Sequence, residues 1–207
     1  MRAIPKVTSL NCKSGVSAFV SRRTVIAYWL IPAEPARSFF QEVINDLARR
    51  YDAPVFEPHL TVHVGSNRAD AAESSISEAA HACKPIKLKT LEIGHSSEFI
   101  KTLFVQFALN TELRQLNEMI RNAAQDSSHY ELSPHLSLLY KKMPAAARCE
   151  LAASIKLPFS EVSFDRLGAM HCLSPTQSRA DVEAWRVVAT TSFRAERSGI
   201  EESRGVP

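Results

Sequence analysis

No stretch of this 207-residue chain approaches the ~20 consecutive apolar residues that a membrane-spanning helix requires. Its four cysteines, Cys12, Cys83, Cys149 and Cys172, include no Cys-x-x-Cys or other close pair. Free thiols of a reducing cytosol are therefore expected, with no metal knuckle or disulfide framework. Acidic residues are missing from positions 1–23, which hold Arg2, Lys6, Lys13, Arg22 and Arg23. The formal charge of +3 comes from that arm alone: the other 20 basic residues stand against 22 acidic ones, a balance of −2. A broadly basic surface is thus absent, which argues against a long nucleic-acid footprint and for a small nucleotide-like ligand. The arm also lacks the apolar core of a secretory signal. Its Ser, Arg and Lys content leaves an organelle address open beside the cytoplasmic location expected. No interdomain linker interrupts the sequence, and 45% hydrophobic residues suffice for one sizeable core.

What is present is one short stretch used twice. Pro58-His59-Leu60-Thr61-Val62 and Pro134-His135-Leu136-Ser137-Leu138 both read Pro, His, Leu, hydroxyl, aliphatic, with the histidines 76 residues apart. Leucine and β-branched residues dominate, so each copy reads as a strand, with proline at its first position where no ladder donor is needed. Residues two apart on a strand share a face, so His59 and Thr61 project side by side about 7 Å apart, as do His135 and Ser137. An imidazole exchanges a proton near neutral pH, and a hydroxyl donates to a phosphoryl oxygen. Two such strands facing each other supply an acid, a base and two donors, a set suited to in-line displacement at phosphorus.

The remaining elements are read from periodicity. Strands are expected at Thr24 to Ile31, Ile86 to Ile93, Phe99 to Leu109, Phe159 to Met170 and Asp181 to Thr191. Helices are expected at Glu34 to Tyr51, Ala69 to Ala82, 111–125, and from Pro144 to about Ile155. The second half repeats the helix-to-strand order of the first. This predicts an α+β fold: a bilobal, pseudo-symmetric domain over 24–193, with two antiparallel sheets lining a central cleft and helices outside. A disordered arm (1–23) and a flexible tail (194–207) flank it.

The chain resembles the two-histidine phosphoesterase superfamily, whose signature is His-x-Thr/Ser-x occurring twice. Tyr28-Trp29-Leu30-Ile31-Pro32, a helix, and then Phe56-Glu57-Pro58-His59-Leu60-Thr61 are similar to the start of its cyclic phosphodiesterase branch. Pro134-His135-Leu136-Ser137-Leu138-Leu139-Tyr140 resembles that branch's second motif. The strand at 99–109 and the segment ending Glu183-Ala184-Trp185 are also similar to the branch, over roughly 25–193 in all. The resemblance implies hydrolysis of ribose cyclic phosphates: ADP-ribose 1″,2″-cyclic phosphate, a by-product of tRNA splicing, and nucleoside 2′,3′-cyclic phosphates, opened to 2′-phosphates. It implies no metal or other cofactor. His59 and His135 would be the acid and base, Thr61 and Ser137 would hold the non-bridging oxygens, and Trp29 and Tyr140 would line the substrate pocket. The partner is a small nucleotide-like cyclic phosphate, with RNA ends as a second class; no membrane partner is expected, and the chain is expected to be monomeric.

Several residues have competing readings. Trp29 shares a strand face with Ala27 and Ile31 and could equally be core or stack on a base. Tyr140 lies five residues past His135, so strict alternation would turn it away from the pocket unless the strand ends first. His63 follows His59 by four, a spacing that chelates zinc on a helix, whereas on a strand the two stand about 13 Å apart. Lys141 and Lys142 could attract phosphate or simply be a solvated strand end. Three other functions compete: a 2′,5′ RNA ligase-like or RNA cyclic phosphodiesterase, a nucleotide-binding module without chemistry, and a zinc hydrolase built on His59, His63 and Cys172.

Overall fold

A computed structural model describes residues 22–66, 68–126 and 130–194. Most of the basic arm, the loop holding Ser127, Ser128 and His129, and all but the first residue of the tail lie outside the described residues. The hydrophobic run from Val25 to Ile31 forms the middle of strand β1 (Arg23–Pro32) and is buried on both faces, which is why it does not alternate. In chain order there follow α1 (Ala36–Tyr51), β2 (Leu60–Gly65), α2 (Ala69–Ala82), β3 (Ile86–His95), β4 (Leu103–Phe107), α3 (Thr111–Ala123), β5 (His135–Leu139), α4 (Ala145–Ser154), β6 (Glu161–Ser174), α5 (Arg179–Glu183) and β7 (Arg186–Ser192). Helix α3 shows how locally these are specified. The Asn110 side chain accepts from the Leu113 amide at 2.9 Å, and Leu113, Leu116 and Ile120 form the buried stripe that the spacing predicts.

All seven strands are antiparallel to their neighbours, in the order β1-β2-β5-β4-β3-β6-β7, and β6 also pairs with β1. The two sheets expected around the cleft are therefore one hydrogen-bonded sheet closed into a ring. Two lobes are still distinguishable within it, one of β2-β1-β6-β7 and one of β5-β4-β3. They join at a single register pair, Leu60 with Leu136, and where the first residues of β6 pair with β3. The repeated units exchange parts. The third strand of the first unit, β3, pairs with β4 of the second, and β6 of the second pairs with β1 of the first. Helix α1 packs on β5, and α3 on β2. One continuous core, including Tyr28, Phe40, Leu60, Phe107, Leu116, Leu136 and Phe164, fills the space between sheet and helices.

Three expected strands differ. The strand expected at Phe99 to Leu109 begins only at Leu103, because residues 99–101 form a 3₁₀ turn. That turn is held by side-chain hydroxyls: Ser96 donates to the Lys101 carbonyl at 2.8 Å and Thr102 to the Lys141 carbonyl at 2.6 Å. Strand β6 runs four residues past Met170, because its second half pairs along the length of β1, as far as Arg23 with Ser174. The strand expected at Asp181 to Thr191 is split. Ser178 and Asp181 form a reciprocal capping box that starts α5, and β7 begins only at Arg186.

Candidate active site

The junction between the lobes is also where the two motifs meet. With Leu60 opposite Leu136 in an antiparallel pair, His59 falls opposite Ser137 and Thr61 opposite His135. The leucines point into the core, so these four side chains share the other face. His59 and His135 are then diagonal neighbours, with backbones roughly 7–8 Å apart.

The two histidines are held alike. His59 Nδ1 lies 2.6 Å from the Glu57 carbonyl, and His135 Nδ1 lies 2.7 Å from the Ser133 carbonyl. A carbonyl only accepts, so each Nδ1 carries the proton and each ring keeps Nε2 for chemistry. His59 is pushed down to about 4, chiefly by burial; the Glu57 hydrogen bond opposes this and the charge of His135 adds to it. His135 is also lowered, first by burial, with the Lys101 ammonium adding to the effect and Ser133 and Glu98 opposing it. Burial thus disfavours the charged form of both rings in the free protein.

The hydroxyls differ. Thr61 faces a cavity of about 210 Å³, and its side chain has no partner among the described residues. Ser137, which is buried, donates to the Ile100 carbonyl at 2.8 Å. Trp29, His59, Thr61, Ile100, Tyr140, Cys172 and Trp185 line the cavity. His135 and Ser137 stand one strand further along the same face and are not among the residues that line the cavity.

Trp29 meets both of its readings: it is buried and it lines the cavity. Its ring face, however, is occupied by the His59 imidazole, stacked with centroids 3.6 Å apart and planes at 12°. Tyr140 reaches the cavity because β5 ends at Leu139, one residue before it. It stacks on Phe56 with centroids 3.9 Å apart, and burial raises its pKa. Sequence reasoning does not assign Trp185 to the site. It packs edge-on against Trp29, His59 and Tyr140, and it is carried by the turn after α5, where periodicity suggests a strand.

His63 is turned away by a bulge. β1 pairs Tyr28 with His63 and Trp29 with Thr61, skipping Val62. The extra residue moves His63 to the core face, where it is fully buried with Nε2 2.8 Å from Asp126 Oδ2. Gly65 makes room for this pair, since a Cβ there would collide with the Asp126 carboxylate. His59, His63 and Cys172 therefore do not converge, and no group of three His, Cys, Asp or Glu side chains among the described residues could hold a metal ion. Burial pushes the Cys172 thiol up to about 11, which leaves it protonated and non-nucleophilic. The Lys141 ammonium donates to the Asp52 carbonyl at 3.0 Å, at the end of α1.

Phe104 completes the β5 side. It pairs with Ser137 on β5 and with Gly94 on β3. A Cβ at Gly94 would lie 2.5 Å from two carbons of the Phe104 ring, so only glycine lets that ring cross β3. There it meets His135 edge-on, with centroids 5.6 Å apart.

The sequence profile of the cyclic phosphodiesterase-like protein family matches residues 24–193. A cyclic phosphodiesterase of Arabidopsis thaliana is 24% identical over 176 residues, covering 83% of this chain and 97% of its own length. Among solved structures, E. coli LigT complexed with 3′-AMP superposes with a TM-score of 0.52 at 15% identity, over 82% of this chain and 98% of that one. TT0787 of Thermus thermophilus also gives 0.52, at 16% identity, over 83% and 99%. These structural likenesses establish a shared fold. No helix among the described residues is long and apolar enough to cross a membrane.

Proposed function

The chain belongs to the cyclic phosphodiesterase-like protein family, and from that membership and the geometry of its cleft we propose that it hydrolyses ribose cyclic phosphates by acid–base catalysis between His59 and His135, without a metal. The observation that supports this reading most is the register of Leu60 with Leu136, which sets both His-x-hydroxyl pairs on one face, with neither Nε2 hydrogen-bonded among the described residues. A neutral ring takes a proton from water as the water oxygen bonds to phosphorus. The P–O bond to one ribose oxygen breaks, and the other ring, protonated, gives its proton to that oxygen. The product is a ribose phosphate monoester, the 2′-phosphate by family resemblance. The substrates proposed are ADP-ribose 1″,2″-cyclic phosphate and nucleoside 2′,3′-cyclic phosphates. Trp29 holds the His59 ring, and the apolar cavity walls around Tyr140 and Trp185 suit an uncharged planar group such as a base.

The decisive experiment is turnover in the presence of EDTA on ADP-ribose 1″,2″-cyclic phosphate, a nucleoside 2′,3′-cyclic phosphate and an RNA oligomer with a cyclic end, with phosphorus NMR of the product. Turnover that EDTA leaves unchanged is expected. Binding without turnover of any of the three would leave a nucleotide-binding module, and loss of activity with chelator would require a metal mechanism.

The pH profile follows from the histidine environments. Both rings sit below the ordinary value of 6.5 in the free enzyme, and a bound phosphate anion raises both. Catalysis needs one ring protonated. The alkaline limb of kcat/KM, which reports the free enzyme, is therefore expected below pH 6.5, and that of kcat, which reports the complex, at higher pH. A kcat/KM that stays level up to about pH 8 would be incompatible with a protonated imidazole as the acid.

The two hydroxyls are expected to be unequal. Thr61→Ala removes a donor with no other partner among the described residues and should lower kcat about 10²-fold, the usual loss for one oxyanion donor. Ser137 already gives its proton to Ile100, so part of its donation is traded against that bond. Ser137→Ala should cost only about tenfold. Steady-state rates of the two variants, each checked for folding, decide the order.

A further inference from the structure

The two sides of the cleft differ in charge. Among the described residues, no Lys or Arg lines the cavity on the β1 and β6 side. On the β5 side, Lys101 closes the 3₁₀ turn and is half-buried. Its ammonium lies 4.7 Å from the centroid of Phe104 and 3.4 Å from Ser133 Oγ, and it forms no ion pair among the described residues. A lysine is ordinarily a mobile, strongly hydrated charge. Here the cation is localised over an aromatic face, with no carboxylate among the described residues paired to it. Its platform is fixed in turn: the Phe104 ring lies across Gly94 and touches His135. Ser133, the ammonium's other contact, also carries the carbonyl that holds His135 Nδ1. Both contacts of the ammonium therefore lead directly to His135, and its charge is left for an anion approaching from that side.

Resting on the reading of the cleft given above, we infer that Lys101, seated on Phe104, forms a second anion subsite beside His135 and selects substrates that carry a further phosphate ester beyond the reacting cyclic phosphate. The reacting phosphate already has two hydroxyls and two imidazoles. An additional phosphate, whether the pyrophosphate of a dinucleotide-like molecule or the phosphodiester of an RNA end, is the group left without a cation in the rest of the cleft.

The test is Lys101→Met and Lys101→Arg on three substrates: a nucleoside 2′,3′-cyclic phosphate with no second phosphate, ADP-ribose 1″,2″-cyclic phosphate, and a dinucleotide with a 2′,3′-cyclic end. Lys101→Met is expected to raise KM roughly tenfold on a substrate with the extra phosphate, the value of one charge-assisted contact, with kcat within about twofold when each enzyme is read at its own pH optimum, because losing the ammonium lets the His135 pKa rise. KM on the bare nucleoside cyclic phosphate should stay within about twofold, and Lys101→Arg should restore most of the loss. Which of the two extended substrates responds identifies the source of the phosphate. An equal loss on all three substrates would overturn the inference, because Lys101 would then serve the reacting phosphate or the fold; so would no loss on any. A wild-type enzyme inactive on all three would overturn the parent reading and this one together, whereas an active wild type with uniform Lys101 effects removes only this one. Thermal melting of the Met variant separates misfolding from lost recognition.

Discussion

Alanine at either His59 or His135 is expected to lower kcat on a ribose cyclic phosphate by roughly 10²–10⁴-fold. The two rings act as a pair, one taking and one giving a proton, so the double variant should fall little below the worse single one. His59 is buried against Trp29, and alanine there also leaves a void. His59→Gln is the cleaner variant, since an amide can still donate to the Glu57 carbonyl while offering no proton exchange near neutral pH. Initial rates on a 2′,3′-cyclic nucleotide measure the effect. Wild-type rates in both single variants would remove the two histidines from the chemistry.

The second large effect concerns stability. Trp29→Ala should cost about 3–5 kcal/mol, the usual range for removing a buried tryptophan. Trp29 packs with Val25, Ala27, Met170 and Cys172 on the cleft face of the sheet, and few neighbours there can collapse into the void. Trp29→Phe should cost far less. Urea midpoints at constant m-value give both numbers. The same change tests why His59 titrates low. Burial holds its pKa down, so taking the indole off the ring admits water and should raise the pKa toward 6.5. NMR titration of the His59 ring would show this, and an unmoved pKa would mean that other neighbours supply the burial. The linkage has a definite sign. Between pH 6.5 and about 4 the unfolded chain binds a proton on His59 that the folded chain refuses, so native stability falls as pH drops through that window. The Ala variant should lose less over the same window than the wild type.

Most of the frame was legible because it is written in local pattern. The β1 run, the stripe Leu113, Leu116 and Ile120, and the doubled His-x-hydroxyl stretch each give one reading under elementary periodicity. Four features were missed, and all but one of them are set by contacts distant in sequence. The bulge at Val62 exists only against β1, so nothing near His63 announces that it turns inward to meet Asp126. The 3₁₀ turn at Phe99–Lys101 depends on Thr102 reaching the Lys141 carbonyl 39 residues away. Trp185 joins the cleft because α5 interrupts a segment that reads as one strand. The capping pair Ser178 and Asp181 was visible in that segment, and would have been the signal to break it. Closure of the sheet into a ring has no local signature at all: it rests on β6 bridging β1 and β3.

The exchange of β3 and β6 between the repeated units has a consequence for how such a chain can be divided. Each unit donates a strand and a helix to its counterpart, so a fragment ending before β4 would expose α1 with no β5 to cover it and β1 with no β6 alongside. Neither unit closes its own surfaces, so the two halves are expected to unfold together, and a single shared transition on heating, read by probes in each half, would show it.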